Sequence, residues 1–197
     1  MSHGFKLEKN DTFNLTKESD QLKVIRAELG WETPENVFPS YDLDVSLFGL
    51  RESPTGPRLV KEDYFVYYNH HSKDKGPNIQ TNDGAITKSP DELSGGVEWI
   101  KVELAKVDKA ADELSFVVTI HDARKRKQSF AQVRNPYIQI FNDETNEPIC
   151  VYNLEDFGNA TAIQVGSLLR SGDEWIFQAV GASHQAELGD IIHQFYP

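Results

Sequence analysis

Leu114-Ser-Phe-Val-Val-Thr-Ile-His-Asp-Ala-Arg-Lys-Arg-Lys-Gln-Ser-Phe130 opens as a strand and closes as a turn. Val117, Val118, Thr119 and Ile120 are β-branched, which favours an extended, pleated backbone. The strand runs directly into His121-Asp122. A basic run, Arg124-Lys125-Arg126-Lys127, follows, and then the short polar block Gln128-Ser129-Phe130.

Outward from this run the pattern stays at period two. Ile100, Val102 and Leu104 alternate with Lys101 and Glu103, and Leu43, Val45 and Leu47 alternate with Asp42, Asp44 and Ser46. Such alternation predicts strands with one face in a core and one toward water. Further strands are expected over Thr12–Leu15, Leu22–Leu29, Tyr64–Tyr68, Phe116–Ile120, Tyr137–Phe141, Ile149–Leu154, Ile163–Leu169 and Trp175–Val180. Roughly ten short strands with turns between them predict a mainly β fold, an antiparallel β-sandwich of two sheets. Arg170-Ser-Gly-Asp-Glu174 reads as the turn of a hairpin. Helix is minor: a turn or two around Ser129–Val133, and a C-terminal amphipathic helix with Leu188, Ile191, Ile192 and Phe195 on one side. Two stretches read as long loops, Glu32–Ser40 and Asn69–Gly96, and a loop of the second length is usually functional or mobile.

Composition narrows the class of partner. A chain of 197 residues that is 39% apolar supports one domain, 1–197. The formal charge is −11, from 31 acids against 20 bases, which argues against nucleic acid or an anionic membrane and favours cations or basic protein surfaces. The lone Cys150 excludes an internal disulfide and a cysteine metal cage, and its apolar neighbours suit a small buried hydrophobe. No apolar run approaches the ~20 residues of a membrane span. Met1-Ser-His-Gly-Phe5 has neither a basic nor an apolar leader region. A cytoplasmic chain with no direct membrane insertion is therefore expected.

Several carboxylates suggest chemistry. Residues two apart on a strand share a face, so Asp42 and Asp44 point the same way while Leu43 points inward. A hard cation such as calcium takes six to eight oxygens, and this pair suits part of such a shell as well as it suits a solvated strand face. Asn69, Asp83, Asp91 and Glu98 are oxygen donors in or beside the long loop, but no segment matches an EF-hand. Ser89-Pro90-Asp91-Glu92 also reads as a helix start. His121 beside Asp122 invites a hydrolase reading. Against it, neighbouring strand residues face opposite sides and no nucleophile elbow is present. Asp122 suits a metal ligand or a turn-stabilising carboxylate, and His121 a structural hydrogen-bonding residue. His70-His71 reads as a loop tip without zinc spacing. Arg124–Lys127 reads first as a solvated turn, and otherwise as a dock for an acidic partner or a second copy.

These residues resemble the TerD family of tellurium-resistance and stress-response proteins. Leu29-Gly30-Trp31, Asp42-Leu43-Asp44 and Phe65-Val-Tyr-Tyr-Asn69 are similar to family blocks. So are Val117-Val-Thr-Ile-His-Asp-Ala123 with Gln128-Ser-Phe130, and Glu174-Trp175, Phe177 and Ala179-Val-Gly181. The resemblance implies a calcium-binding β-sandwich without enzymatic activity. It also implies an association with resistance to tellurite and other stresses, alongside partners from the tellurium-resistance gene cluster. The family's calcium sites lie in a glycine-rich acidic loop backed by the D-L-D strand. This chain departs there: Asp83-Gly-Ala-Ile-Thr-Lys-Ser-Pro-Asp-Glu-Leu-Ser-Gly95 follows the first half of the loop, and the second acidic cluster is reduced to Glu98. One calcium site is expected from Asp42, Asp44, Asn69 and Asp91, with the second degraded. Glu98 and Asp122 complete the candidate ligands. The expected function is a cation-dependent adaptor. The alternatives are a calcium-independent interaction module using Arg124–Lys127, as monomer or homo-oligomer, and a hydrolase using His121 and Asp122.

Overall fold

The computed structural model describes residues 4–18, 22–32, 41–70, 79–90, 97–155 and 157–195. Along the chain these form β1 (Phe5–Leu7), β2 (Thr12–Asn14), α1 (Leu15–Glu18), β3 (Val24–Glu32), β4 (Leu43–Arg51), β5 (Arg58–Leu59) and β6 (Phe65–Val66). There follow β7 (Ile79–Gln80), β8 (Ile86–Lys88), β9 (Val97–Glu103), β10 (Glu113–Ile120), α2 (Ala123–Arg126) and β11 (Arg134–Asn142). The chain finishes with β12 (Glu147–Asn153), β13 (Ala162–Ser171), β14 (Glu174–His184) and α3 (Leu188–Phe195).

Two sheets face each other. The first has the order β1-β12-β11-β3-β9-β8-β7, and the second β2-β14-β13-β10-β4-β5, with β6 also against β4. All pairs are antiparallel except β1 with β12, where Phe5, Lys6 and Leu7 run parallel to Cys150, Val151 and Tyr152. The chain's first two strands therefore lie at an outer edge of each sheet, β1 beside β12 and β2 beside β14.

The main core fills the space between the sheets. Ile25, Ala27, Leu29, Ile100, Val102, Ile138 and Ile140 from the first sheet meet Leu43, Val45, Leu47, Leu114, Phe116 and Val118 from the second. Period-two placement delivers these residues to one side of each strand. Cys150 belongs to this core, and burial pushes its thiol up to about 12. A thiol so protonated is a packing group rather than a nucleophile.

The second sheet has a second core on its other face. Phe48, Leu50, Phe65, Val117 and Ala162 are covered there by Ile191, Ile192 and Phe195 of α3. Phe48 stacks on Phe65 with ring centres 4.6 Å apart, Phe195 lies 5.0 Å from Phe48, and Tyr67 stacks on Phe65 at 4.3 Å. Consequently β4 is buried on both faces along nearly its whole length. The alternation of Leu and Asp predicts a strand half in water, and the structure corrects this: α3 and the Phe65–Tyr67 segment cover the second face.

Other expectations shift locally. The strand expected over Thr12–Leu15 stops at Asn14, where α1 begins; the side chain of Asn14 accepts the Lys17 N–H at 3.0 Å and turns the chain. Only Phe65–Val66 pairs within the segment expected as Tyr64–Tyr68, after a 3-10 turn at Glu62–Tyr64. The loop predicted over Asn69–Gly96 contains β7 and β8. The helical turn expected near Ser129–Val133 is a 3-10 turn at Phe130–Gln132, and α3 lies where the apolar spacing predicts it. The hairpin turn is Gly172-Asp173, with Gly172 at φ +63°, the left-handed conformation that tight hairpins require. The described residues include no helix long and apolar enough to cross a membrane.

One close approach holds β4 against the chain that follows it. Tyr64 is fully buried against Gly49, and a methyl group placed on Gly49 would penetrate its ring. The ring cannot swing away, because its hydroxyl donates to Asp83 at 2.9 Å and accepts the Asp108 N–H at 2.7 Å. Gly49→Ala is therefore expected to destabilise the fold by about 1–3 kcal/mol through overpacking, read as a lowered midpoint in urea denaturation.

Candidate cation site

The acidic stripe begins where β4 begins. Tyr41 fixes this end, its hydroxyl donating to Gln132 Oε1 at 2.9 Å, while Ser129 Oγ donates to the same oxygen at 3.0 Å. Phe130 is buried, and its N–H donates to Ala160 C=O at 2.9 Å. The Gln128–Phe130 block thus ties the end of β10 to the start of β4. The N–H of His121 donates to Asp42 C=O at 2.9 Å, and Asp44 sits opposite Thr119.

Asp42 and Asp44 share the face of β4 that carries Phe48 and Leu50, at 6% and 2% exposure. Two carboxylates that close and that dry require positive charge beside them. Arg126 supplies some, its Nη1 3.8 Å from Asp42 Oδ2, and the His121 imidazole lies beside the other carboxylate, Nδ1 3.7 Å from Asp44 Oδ2. Both separations exceed hydrogen-bond length, so these are neighbours rather than hydrogen-bonded pairs. Ser46 continues the stripe. It is fully buried, and its hydroxyl has no hydrogen-bond partner among the described residues.

Asn69 reaches this end through aromatic packing. Tyr67, Tyr68, Asn69 and His70 form a turn closed by the His70 N–H donating to Tyr67 C=O at 3.0 Å. The ring of Tyr68 packs edge-on against His121 at 5.8 Å. Asn69 is exposed beside it. Asp91 and the helix start read at Ser89–Glu92 extend outside the described residues.

Glu98 faces elsewhere. It points between the sheets with no exposed surface, Oε1 at 3.0 Å from Lys88 Nζ and Oε2 accepting the Val45 N–H at 2.9 Å. Because β6 pairs only with Leu47 and Phe48, the Val45 N–H lies off that ladder, and Glu98 supplies its acceptor. Lys88 is equally buried. This pair bridges the sheets just behind the acidic stripe, on the opposite face of β4 from Asp42 and Asp44.

Asp122 is likewise apart. It sits at φ +53° ahead of α2, and its carboxylate lies 3.4 Å from Lys125 Nζ. His121 turns toward Asp44 and Tyr68 instead, so the two halves of the hydrolase reading diverge. The structure therefore gathers Asp42 and Asp44, with Asn69 nearby, and separates Glu98 and Asp122 from them. Among the described residues no group of three or more His, Cys, Asp or Glu is arranged to hold a metal ion.

Asp83, the other acid of the long loop, is used structurally. Its Oδ1 accepts from Thr81 Oγ1 at 2.7 Å and the Ala85 N–H at 2.9 Å, and Oδ2 accepts from Tyr64 and from Lys61 at 3.1 Å. Burial alone would raise its pKa, but these donors outweigh it and hold the carboxyl at about 2. The basic run is also largely occupied. Arg124 pairs with Asp190 at 2.6 Å and lies near Glu187, Lys125 meets Asp122, and Arg126 approaches Asp42.

Sequence reasoning missed Lys88 and Ser46, and read Arg126 as part of the basic turn rather than as a neighbour of Asp42. Ser46 was legible as the next residue on the Asp42–Asp44 face. Lys88 carried a signal too, since it alternates with buried Ile86, but pairing it with Glu98 needs the β8–β9 register.

Comparison with known proteins places this arrangement among relatives. The TerD domain model matches residues 3–195. General stress protein 16U of Bacillus subtilis (strain 168) is 36% identical over 195 residues, covering 96% of this chain and 95% of that protein. Tellurium resistance protein TerD of Serratia marcescens is 32% identical over 194 residues, covering 96% and 95%. A solved homologue of telluride resistance protein (TerD) from Streptomyces coelicolor A3(2) superposes with a TM-score of 0.68 at 21% identity, covering 89% of this chain and 99% of that one. That likeness speaks to the fold.

Two measurements test the ionic framework. Lys88→Met leaves Glu98 buried without its cation and is expected to cost about 3–5 kcal/mol in urea denaturation, with Lys88→Met/Glu98→Leu recovering part of the loss. Asp83 titrates lower folded than unfolded, so its stabilisation is present above the ordinary carboxyl range and is lost as pH falls toward about 2. The difference in denaturation midpoint between wild type and Asp83→Asn should be greatest above about pH 5 and close as the pH drops.

Proposed function

The chain belongs to the TerD family, and from that premise we propose that it is a non-enzymatic stress-response and tellurite-resistance adaptor whose Asp42–Asp44 pair holds a calcium ion. The observation that carries the reading is the burial of both carboxylates on one face of β4. Removing two like charges from water is costly, and a divalent ion between them offsets that cost directly. Asp42 and Asp44 would supply the charge, the exposed Asn69 a neutral oxygen, and Ser46 a further oxygen on the same face. Asp91 would add the third carboxylate. Glu98 serves the reading indirectly, by fixing the backbone of β4 at Val45. A site with so few carboxylates is a weak one, since ligand charge and number set affinity. A bound ion would act electrostatically, neutralising the stripe, with Asp42, Asp44 and Asn69 holding it.

A second reading rests on His121 and Arg126. Arg126 places a fixed positive charge 3.8 Å from Asp42, and the His121 imidazole, 3.7 Å from Asp44, adds one when protonated, so the pair can be countered without any ion. The protein would then be a calcium-independent interaction module of the same fold.

Thermal unfolding of chelator-treated protein across a calcium titration separates the two. Binding to the folded state raises stability by about 2.7 kcal/mol at a hundredfold excess over Kd. A rise in Tm that vanishes in Asp42→Asn/Asp44→Asn supports the calcium reading. No rise at millimolar calcium supports the second, and a rise that persists in the double variant places the ligands elsewhere.

A further inference from the structure

Several lysines without an ion pair among the described residues gather at the other pole of the sandwich. Asp44 pairs with Thr119 on β10, whereas Glu113, six residues back along β10, pairs with Leu169, next to Arg170. Six residues of strand span about 20 Å, so Arg170 is far from the acidic stripe. At this pole a cleft of about 550 Å³ opens between α1, the start of β3, the β9–β10 connection and the β13–β14 hairpin.

The cleft has an apolar floor and a basic rim. Leu22, Leu104, Val107 and Trp175 form the floor, each less than a tenth exposed. Lys17, Lys23 and Lys109 stand exposed on the rim, and none of them enters an ion pair among the described residues. This contrasts with Arg124–Arg126, whose side chains face acids of their own chain. Asp173 and Glu174 line one side, with Glu174 already accepting from Asn14 Nδ2 at 2.8 Å. With Arg170, four cations face two carboxylates among the described lining residues.

Arg170 is the fixed element. Its guanidinium lies 4.3 Å above the ring of Trp175. Nε donates to Ala111 C=O at 2.9 Å, and Nη2 donates to Asp108 C=O at 3.0 Å and Val107 C=O at 3.3 Å. Those bonds hold the plane and use three of its five N–H groups, leaving the Nη1 pair for a further acceptor. Ordering an arginine normally costs side-chain entropy on binding, and here folding has already met that cost.

We propose that this cleft docks an acidic segment of a partner polypeptide, seating one apolar side chain on the floor while flanking carboxylates meet Arg170 and the rim lysines. A volume of about 550 Å³ suits several side chains rather than a small ion. Charge complementarity selects the acidic segment, and the apolar floor selects the anchor between its charges. This goes beyond the calcium reading and does not depend on it.

The test uses the full-length chain labelled with nitrogen-15, in calcium-free buffer, titrated with acetyl-Glu-Glu-Phe-Leu-Glu-Glu-amide. The expected result is saturable shift changes at the amides of Lys17, Lys23 and Lys109, at Arg170 Nε and at the Trp175 indole. Lys17→Glu/Lys23→Glu/Lys109→Glu, all exposed positions, should weaken the affinity at least about tenfold with the spectrum otherwise that of a folded chain. Hexaglutamate and inorganic phosphate should bind far more weakly than the anchored peptide. Shifts confined to other surfaces, no shifts at millimolar peptide, or undiminished binding by the triple variant would overturn the proposal. Equal binding of phosphate would also overturn it, in favour of a simple anion site.

Discussion

A strand buried on both faces has nowhere to place a charge cheaply, and β4 carries two. Leu43, Val45 and Leu47 commit one face to the main core, while Phe48 and Leu50 commit the other to the core beneath α3. Asp42 and Asp44 are carried into that second environment by the pleat itself. What surrounds β4 follows from this constraint. His121 and Arg126 approach from the end of β10 and from α2, and the aromatic run Phe195, Phe48, Phe65, Tyr67 seals the remainder of the face. The buried Lys88–Glu98 pair completes the arrangement from the opposite side, holding the backbone of β4 where its ladder partner is missing.

The architecture was legible because period two survives almost everywhere in the chain. Alternation at Ile100–Leu104, Phe116–Ile120 and Tyr137–Phe141 reports faces faithfully, and the α3 stripe does the same at helical period. The candidate site was only half legible. The Leu–Asp alternation of β4 has the same appearance whether the second face meets water or a distant helix, so its burial depends on a contact with residues nearly 150 positions away. Glu98 illustrates the same limit. As an acid at the end of a shortened loop it reads as a ligand, yet its surroundings are set by a neighbouring strand that brings Lys88 beside it. Short strands such as β7 and β8 offer too few residues for any period to register. Asp91, on which a third carboxylate depends, lies outside the described residues.

The two ends of the sandwich present different side chains. One end of the sandwich holds the acidic stripe with partial neutralisation from Arg126 beside Asp42. The other holds lysines without acidic partners among the described residues and one arginine locked in place. A net charge of −11 conceals this polarity. Relatives described as general stress and tellurium-resistance proteins share the frame on which both poles are built.

The edge positions of β1 and β2 carry a consequence for synthesis. Phe5 lies beside Cys150, and Phe13 beside Phe177, so the first strands made close against hairpins made more than 140 residues later. Neither sheet can close its β1 or β2 edge until residues as late as β12 and β14 have been made. Pairings so distant in sequence put this fold at the slow end of folding rates. During that interval the edges of β12 and β14 stand open to other chains, which exposes the unfinished fold to edge-to-edge association.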